Sequence, residues 1–273
     1  MLCAFTPYFN IWEAKKWGVN RPIWGKWLER AQEFPSLNQA DFLACVSDQV
    51  KAQLENMGIP HHKILISPMA GDPEYFRQNR PVPEDVVPWI NGKRVIGWIG
   101  SFRKFHGLDT VIDAFASVAE MYGDTILVLV GDGLERASLE EKVEELNLKH
   151  RVFFAGRKPY KQIPALIKVF DVAIVSADSK ESFHYSPLKL REYLMAGIAT
   201  IAPNAGEIPQ VFEAGKHLLL YEPGEHQSLS QKIDLLLKND THRNSLASNG
   251  AAYAQKRCSW EFELNNLIDH LNK

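Results

Sequence analysis

The sequence predicts an α/β fold built on a doubly wound parallel sheet. Three observations carry that expectation: short runs that are apolar throughout, such as Thr125 to Val130 (TILVLV), amphipathic helical stretches between them, and glycines closing the runs at Gly100 and Gly131. Strands buried on both faces lose the polar alternation of a one-sided sheet, and the intervening helices supply the cover.

The elements follow in order. Phe42 to Val46 reads as a strand, Ser47 as the cap of a helix that Gly58 stops, and Ile64 to Ile66 as the next strand. Between Pro68 and Pro88 the composition shifts, with four further prolines after Pro68 and no sustained period, which reads as a linker. Arg94 to Gly100 is then a strand, and Leu108, Val111, Ile112 and Phe115 recur at the spacing of a core-facing helix. Thr125 to Val130 leads through Gly131-Asp132-Gly133 to an acidic helix from Glu135 to Leu146. Val152 to Ala155 is a strand, Ile163, Leu166, Ile167 and Phe170 mark a helix, and Asp171 to Val175 a strand. A helix from about Pro187 to Met195 precedes the strand Ala199 to Ala202. In such a sheet ligands bind beyond the carboxyl ends of the strands, so the loops 100–107, 131–134, 156–159, 176–187 and 203–208 are expected to line one crevice.

Composition narrows the function. The 273 residues are 45% hydrophobic and 23% charged, and 31 Lys plus Arg against 33 Asp plus Glu leave a net charge of -2. That is enough chain for a real core without disulfide or metal staples, and the balance gives no general attraction to nucleic acid. Cys3, Cys45 and Cys258 lie far apart without metal-ligand spacing and read as reduced thiols, so neither metal nor secretion is expected. With no apolar run of membrane-spanning length and no signal-like start, a cytoplasmic protein is expected. Trp12, Trp17, Trp24 and Trp27, interleaved with Lys15, Lys16, Arg21 and Lys26, read either as packing groups or as a peripheral contact with a membrane or lipid-linked substrate.

The richest cluster is Ser186-Pro187-Leu188-Lys189-Leu190-Arg191-Glu192-Tyr193. Ser186 reads as the N-cap and Pro187 as the first turn of a helix whose free amides and positive end face the crevice, where a phosphate can sit. A cation in the first turn opposes the dipole, so Lys189 makes sense facing an anion. Glu192, one turn on, can accept hydrogen bonds from the vicinal hydroxyls of a ribose. In the loop from Gly100 to Gly107, Arg103, Lys104 and His106 are further phosphate partners. In Asn204-Ala205-Gly206-Glu207, Glu207 faces either a sugar hydroxyl or solvent.

GWIGSFRKFHGLDTVIDAF, LVLVGDGLERASLEEKVEELNL, VFFAGRKPYKQIPALIKVFDVAIV, SPLKLREYLMAGIATIA and AGEIPQVFEAGKHLLLYEPG, taken in order, resemble the donor half of retaining GT-B glycosyltransferases, those grouped as family 4 (group 1). ADFLACVSDQVKAQLENMGIPHHKILISPMAGDPEYF resembles the stretch where that family's first domain hands over to the second, and CSWEFELNNLIDHL resembles its terminal helix. The resemblance implies a GT-B organisation: residues 1–78 as a remnant of the acceptor-side domain with its linker, 79–258 as the nucleotide-sugar domain, and 259–273 as a crossover helix.

Carried over residue by residue, it places Glu192 on the ribose and Ser186, Pro187, Leu188 and Lys189 beside the diphosphate. Ser101 and His106 fall where the family has a clamping arginine and lysine, with Arg103 and Lys104 shifted nearby. Arg157 and Lys158 fall where the backbone reads the base. The first glutamate of the family's pair falls on His184, with Glu181 three residues earlier, and both are sugar-side candidates. The family's sugar-side histidine is expected in a segment this chain lacks, so no catalytic base is named. The implied reaction transfers a hexose from a UDP- or GDP-linked sugar to an acceptor glycan, lipid or small molecule, with retention, no metal and no other cofactor. The alternatives are a nucleotide-sugar-binding subunit without turnover and a GT-B UDP-sugar epimerase. The missing G-x-G-x-x-G counts against a dinucleotide enzyme.

Overall fold

In the computed structural model, residues 2–5, 35, 37–181, 183 and 186–272 are described, residues 2–5 by backbone alone. They divide into two units, one of Met1–Met69, His184–Ser186 and Glu263–Lys273, the other of Ala70–Phe183 and Pro187–Phe262. The tryptophans at 12, 17, 24 and 27 and His184 lie outside the described residues.

The first unit holds a parallel sheet of order β1-β2-β3, with β1 Leu2–Phe5, β2 Phe42–Cys45 and β3 Ile64–Ile66. Helix α1, Asp48–Asn56, starts as its sequence implies, the Ser47 hydroxyl accepting from the Val50 amide at 3.3 Å. Val50 and Leu54 turn inward onto Leu43, Cys45 and Ile64. The strand β1, paired in register Leu2 with Phe42, has no counterpart in the sequence reading.

The second unit is a six-stranded parallel sheet of order β6-β5-β4-β7-β8-β9: β4 Arg94–Ile99, β5 Thr125–Val130, β6 Val152–Gly156, β7 Val172–Ile174, β8 Ala199–Pro203 and β9 Leu219–Tyr221. The α/β class is as expected. The chain steps outward from β4 to β6, then returns to the other side of β4, so the order reverses between β4 and β7. A crevice opens at such a reversal. Helix α4, Leu108–Met121, buries Leu108, Val111, Ile112 and Phe115; α5 (Arg136–Glu145) follows β5, α6 (Ile163–Lys168) follows β6 and α8 (Ile208–Val211) follows β8. The chain adds β9, α9 (His226–Lys238) and α10 (Asp240–Arg257), α9 packing on α4 and α10 on the helix after β7.

The stretch from Pro68 to Pro88, whose prolines suggest an open linker, instead contains α2 (Pro73–Arg77) and the start of α3 (Val87–Ile90), and from Ala70 onward it belongs to this unit. Asp72 caps α2 by accepting from the Glu74 and Tyr75 amides at 2.9 and 3.2 Å, and Pro73 occupies the first turn, where its missing N–H costs nothing. Phe76 is then fully buried, and Trp89 of α3 stacks on Phe153 at 4.8 Å. Here the prolines start helices.

The loops after β4 and β5 touch backbone to backbone. Gly131 has φ +136, and a Cβ there would lie 1.8 Å from the Gly100 carbonyl oxygen. Gly131→Ala is therefore expected to cost about 2 kcal/mol, combining strain at positive φ with displacement of a main chain that has nowhere to go. Gly123→Ala, with nothing within 4 Å of the new methyl, should be neutral. Urea denaturation midpoints of the two variants check the contrast.

Candidate nucleotide-sugar site

Helix α7, Leu188–Met195, begins beside the end of β4 in the second unit and supplies the centre of the site. Two anchors hold it. The Tyr193 hydroxyl accepts from the amide of Ile99, the last residue of β4, at 2.8 Å. On the other side Arg191 Nη2 donates to Glu207 Oε1 at 2.8 Å, both side chains almost wholly enclosed. Glu207 is therefore not a solvated loop acid: its carboxylate is the counter-charge of a buried guanidinium.

Between the anchors, Lys189 and Glu192 lie one turn apart on one face. The Lys189 amine sits 3.8 Å above the Trp98 ring, and a Cβ on Gly100 would come within 2.7 Å of it. It is buried without a hydrogen-bond partner. Burial lowers its pKa to about 7 against a smaller opposing pull from Glu192. Glu192 is buried as well, and desolvation raises its pKa, while the Tyr160 hydroxyl and Lys189 pull it down. The Tyr160 hydroxyl donates to Glu192 Oε1 at 3.2 Å. The cation and the carboxylate are thus one helical turn apart, in a setting dry enough to strengthen any contact they make.

Trp98 ties the first loop to the site. Its indole N–H donates to the Ser176 hydroxyl at 2.8 Å, and Ser176 donates a short hydrogen bond to the His106 carbonyl. The His106 ring packs edge-on against Trp98 at 5.6 Å. Burial, then Lys189 and Arg103, pushes its pKa down to about 2, so the imidazole is neutral at physiological pH. Any phosphate contact from His106 is a neutral hydrogen bond. The Asp178 amide donates to the Phe105 carbonyl at 3.1 Å, so the loops after β4 and β7 close on each other over the switch point.

The other expected site residues are distributed as follows. Ser101, Arg103 and Lys104 are exposed on the first loop. Pro187 is buried and is itself the N-cap, with extended backbone and no side-chain cap, and Leu188 and Lys189 open the helix. Ser186 is not the cap: it groups with the first unit, where its hydroxyl accepts from the Met69 amide at 3.2 Å. The start of α7 is therefore left uncapped by side chains, which suits a helix end that receives an anion. Arg157 is exposed after β6, and Lys158 is ion-paired with Asp85 at 2.5 Å. Glu181 is exposed and lines an open depression with Lys180 and Glu222; hydrogen bonds from its own amide and from Ser179 hold its pKa low. Sequence reasoning missed Trp98 and Tyr160. Trp98 carried a signal, a lone aromatic in a strand that after Arg94 is otherwise small and aliphatic; Tyr160 carried none, since its partner lies 32 residues further on.

Among the described residues no helix is long and apolar enough to cross a membrane, and no three or more His, Cys, Asp or Glu side chains gather as metal ligands.

Comparison with known proteins bears on this arrangement. The chain is 27% identical over 220 residues to N-acetyl-alpha-D-glucosaminyl L-malate synthase of Bacillus anthracis, covering 77% of this chain and 56% of that protein. It is 28% identical over 246 residues to D-inositol 3-phosphate glycosyltransferase of Corynebacterium urealyticum, covering 85% and 57%. It thus spans little more than half the length of these curated relatives. Among solved structures, Anabaena HepE in complex with UDP-glucose superposes with a TM-score of 0.74 at 22% identity, over 86% of this chain and 65% of that one. Sucrose-phosphate synthase from Thermosynechococcus elongatus superposes with a TM-score of 0.75 at 20% identity, over 99% and 67%. These likenesses show a Rossmann-like fold of GT-B type. The family model described as glycosyl transferases group 1 matches residues 84–253, more than half of the 273. The chain belongs to the group 1 glycosyltransferases.

Proposed function

We propose that the second unit binds a nucleoside-diphosphate sugar, UDP- or GDP-linked, and that the protein transfers its hexose to an acceptor hydroxyl with retention, as in family 4. The observation that carries this reading is the buried amine of Lys189, without a hydrogen-bond partner, at the uncapped start of α7, one turn from the buried carboxylate of Glu192. A diphosphate supplies the missing anion and a ribose supplies two hydroxyl donors. The HepE complex with UDP-glucose, on a related fold, supports the choice of ligand class.

On this reading Lys189 and the first amides of α7 stabilise the negative charge that grows on the leaving diphosphate as the glycosidic bond breaks. Such stabilisation is strongest where donors are fixed in advance and water is excluded. The α7 anchors at Ile99 and Glu207 do the fixing. Arg103 and Lys104 add exposed positive charge near the approach, Arg157 and Lys158 flank the base, and Ser101 and neutral His106 offer hydrogen bonds. Protein groups take the role a metal plays elsewhere, so EDTA is expected to leave nucleotide binding unchanged.

Glu192→Ala is the test. It should weaken UDP or GDP binding by about 1–3 kcal/mol, the usual cost of deleting a charged acceptor from a formed site. Calorimetry on the purified chain reads it, and an unchanged affinity for both nucleotides removes Glu192 from the site.

A further inference from the structure

Glu192 needs more than burial to be useful. A buried carboxylate is costly to keep ionised, and a side chain with three torsions is costly to hold in one orientation. Tyr160 is the one hydrogen-bond donor described for this carboxylate, and the tyrosine is itself built into place. It opens the 3-10 turn Tyr160–Gln162, just after β6. Its ring stacks on Tyr75 at 5.1 Å, the planes 8° apart, and meets the edge of Phe76 at 6.5 Å. Tyr75 rides on the capped helix α2, and the Arg80 guanidinium lies 4.4 Å over its ring while donating to the Lys161 carbonyl at 2.9 Å. A clamp of two aromatic rings and an arginine thus spans residues 72 to 80 and 160 to 161. Yet Tyr160 is 56% exposed. A tyrosine held this firmly at a surface, with its hydroxyl on a buried carboxylate, is better explained by what it does to that carboxylate than by core packing.

We propose that Tyr160 is the positioning residue of the ribose site, fixing the Glu192 carboxylate in the orientation that receives the two ribose hydroxyls. The proposal rests on the ribose role of Glu192 given above. A carboxylate offers about four lone-pair sites. The tyrosine occupies one on Oε1, which leaves the remaining sites on both oxygens for the diol. The same hydrogen bond favours the ionised form, against the desolvation that favours the protonated one. Beside Tyr160, the group acting on Glu192 is Lys189 on α7; Glu192 in turn acts on Tyr193, and Asp72 and Tyr75 act on Tyr160 from the α2 side. Of these groups, only the Tyr160 hydroxyl donates to the carboxylate.

The test is a calorimetric cycle of wild type, Tyr160→Phe, Glu192→Ala and the double variant, with UDP, GDP and their 2′-deoxy forms, from pH 5 to 8. Tyr160→Phe keeps the ring and its stack and removes only the hydroxyl. It is expected to weaken the ribonucleotides five- to tenfold and to narrow their preference over the 2′-deoxy forms. Ribose binding needs ionised Glu192, so the preference for ribonucleotides over their 2′-deoxy forms is present above the Glu192 pKa and lost as pH falls through it, whereas protonation of the terminal phosphate weakens both forms alike. Removing the donor raises that pKa and moves the loss to higher pH. In the Glu192→Ala background, Tyr160→Phe should change nothing further. A wild-type affinity and pH profile in Tyr160→Phe, or an equal loss with and without Glu192, overturns the proposal while the ribose role of Glu192 stands. No effect of Glu192→Ala overturns that role as well.

Discussion

Glu207→Ala is expected to destabilise the second unit by about 3–5 kcal/mol, because it leaves a guanidinium charge buried with no counter-ion. Arg191 is already at its limit, one of its amino groups having no hydrogen-bond partner in the folded chain. Removing Glu207 Oε1 deletes the ion-pair contact at 2.8 Å at a site where both side chains are enclosed, so the guanidinium loses its counter-charge where solvation is poor. Replacing the pair together, as Arg191→Met with Glu207→Leu, should recover most of the loss, because two apolar groups of similar volume need no partner. Urea unfolding of the two variants separates the charge effect from a packing effect. A loss below about 1 kcal/mol in Glu207→Ala would mean that the pair is solvated as surface pairs are. Because Arg191 lies between Lys189 and Glu192 on α7, the single variant should also lose nucleotide affinity under conditions where it remains folded.

Lys189→Met should reduce affinity for a nucleoside diphosphate by about 2–3 kcal/mol, the range of a hydrogen bond to a charged group, and leave affinity for the free nucleoside nearly unchanged. The same lysine gives binding a pH dependence of defined sign. In the empty site its pKa is lowered to about 7, chiefly by burial. A bound diphosphate raises it, so the complex holds more protons than the free chain. Binding therefore takes up a proton above pH 7, and affinity falls as pH rises from 7 to 9, by at most about one decade per unit. Below about pH 6 the terminal phosphate takes up a proton and affinity falls for a separate reason. Heats of binding in buffers of different ionisation enthalpy measure the uptake directly. Lys189→Met should abolish both the slope above pH 7 and the buffer dependence; equal losses for nucleoside and nucleoside diphosphate would give Lys189 a purely structural role.

Much of this was legible in the chain itself. Strands such as Thr125–Val130 are continuous apolar runs because both faces of the sheet are covered, and that pattern survives in the sequence at single-residue accuracy. Lys189 stood out because a cation in a first helical turn opposes the dipole, a conflict that is visible locally. What sequence could not supply was contact across long separations. The amine of Lys189 rests on Trp98, Tyr193 holds Ile99 and Tyr160 reaches Glu192, each pair brought together only by the sheet. Glu207 looked like a loop acid because its partner, Arg191, sits in another element. The helix start was misplaced by one residue at Ser186, whose hydroxyl serves the Met69 amide. The stretch from Pro68 to Pro88 misled for a different reason: proline suits both an open chain and a first helical turn, and the burial of Phe76 decides between them.

Crystals of the chain grown with UDP and with GDP show whether Lys189 and Glu192 hold the two halves of one nucleotide. The diphosphate is expected between the Lys189 amine, the start of α7 and the loop at Gly100, and the ribose hydroxyls on the Glu192 carboxylate with Tyr160 still donating to Oε1. A nucleotide bound elsewhere on the second unit, with the Lys189 amine still resting on Trp98 and Glu192 without a ribose, would contradict this placement.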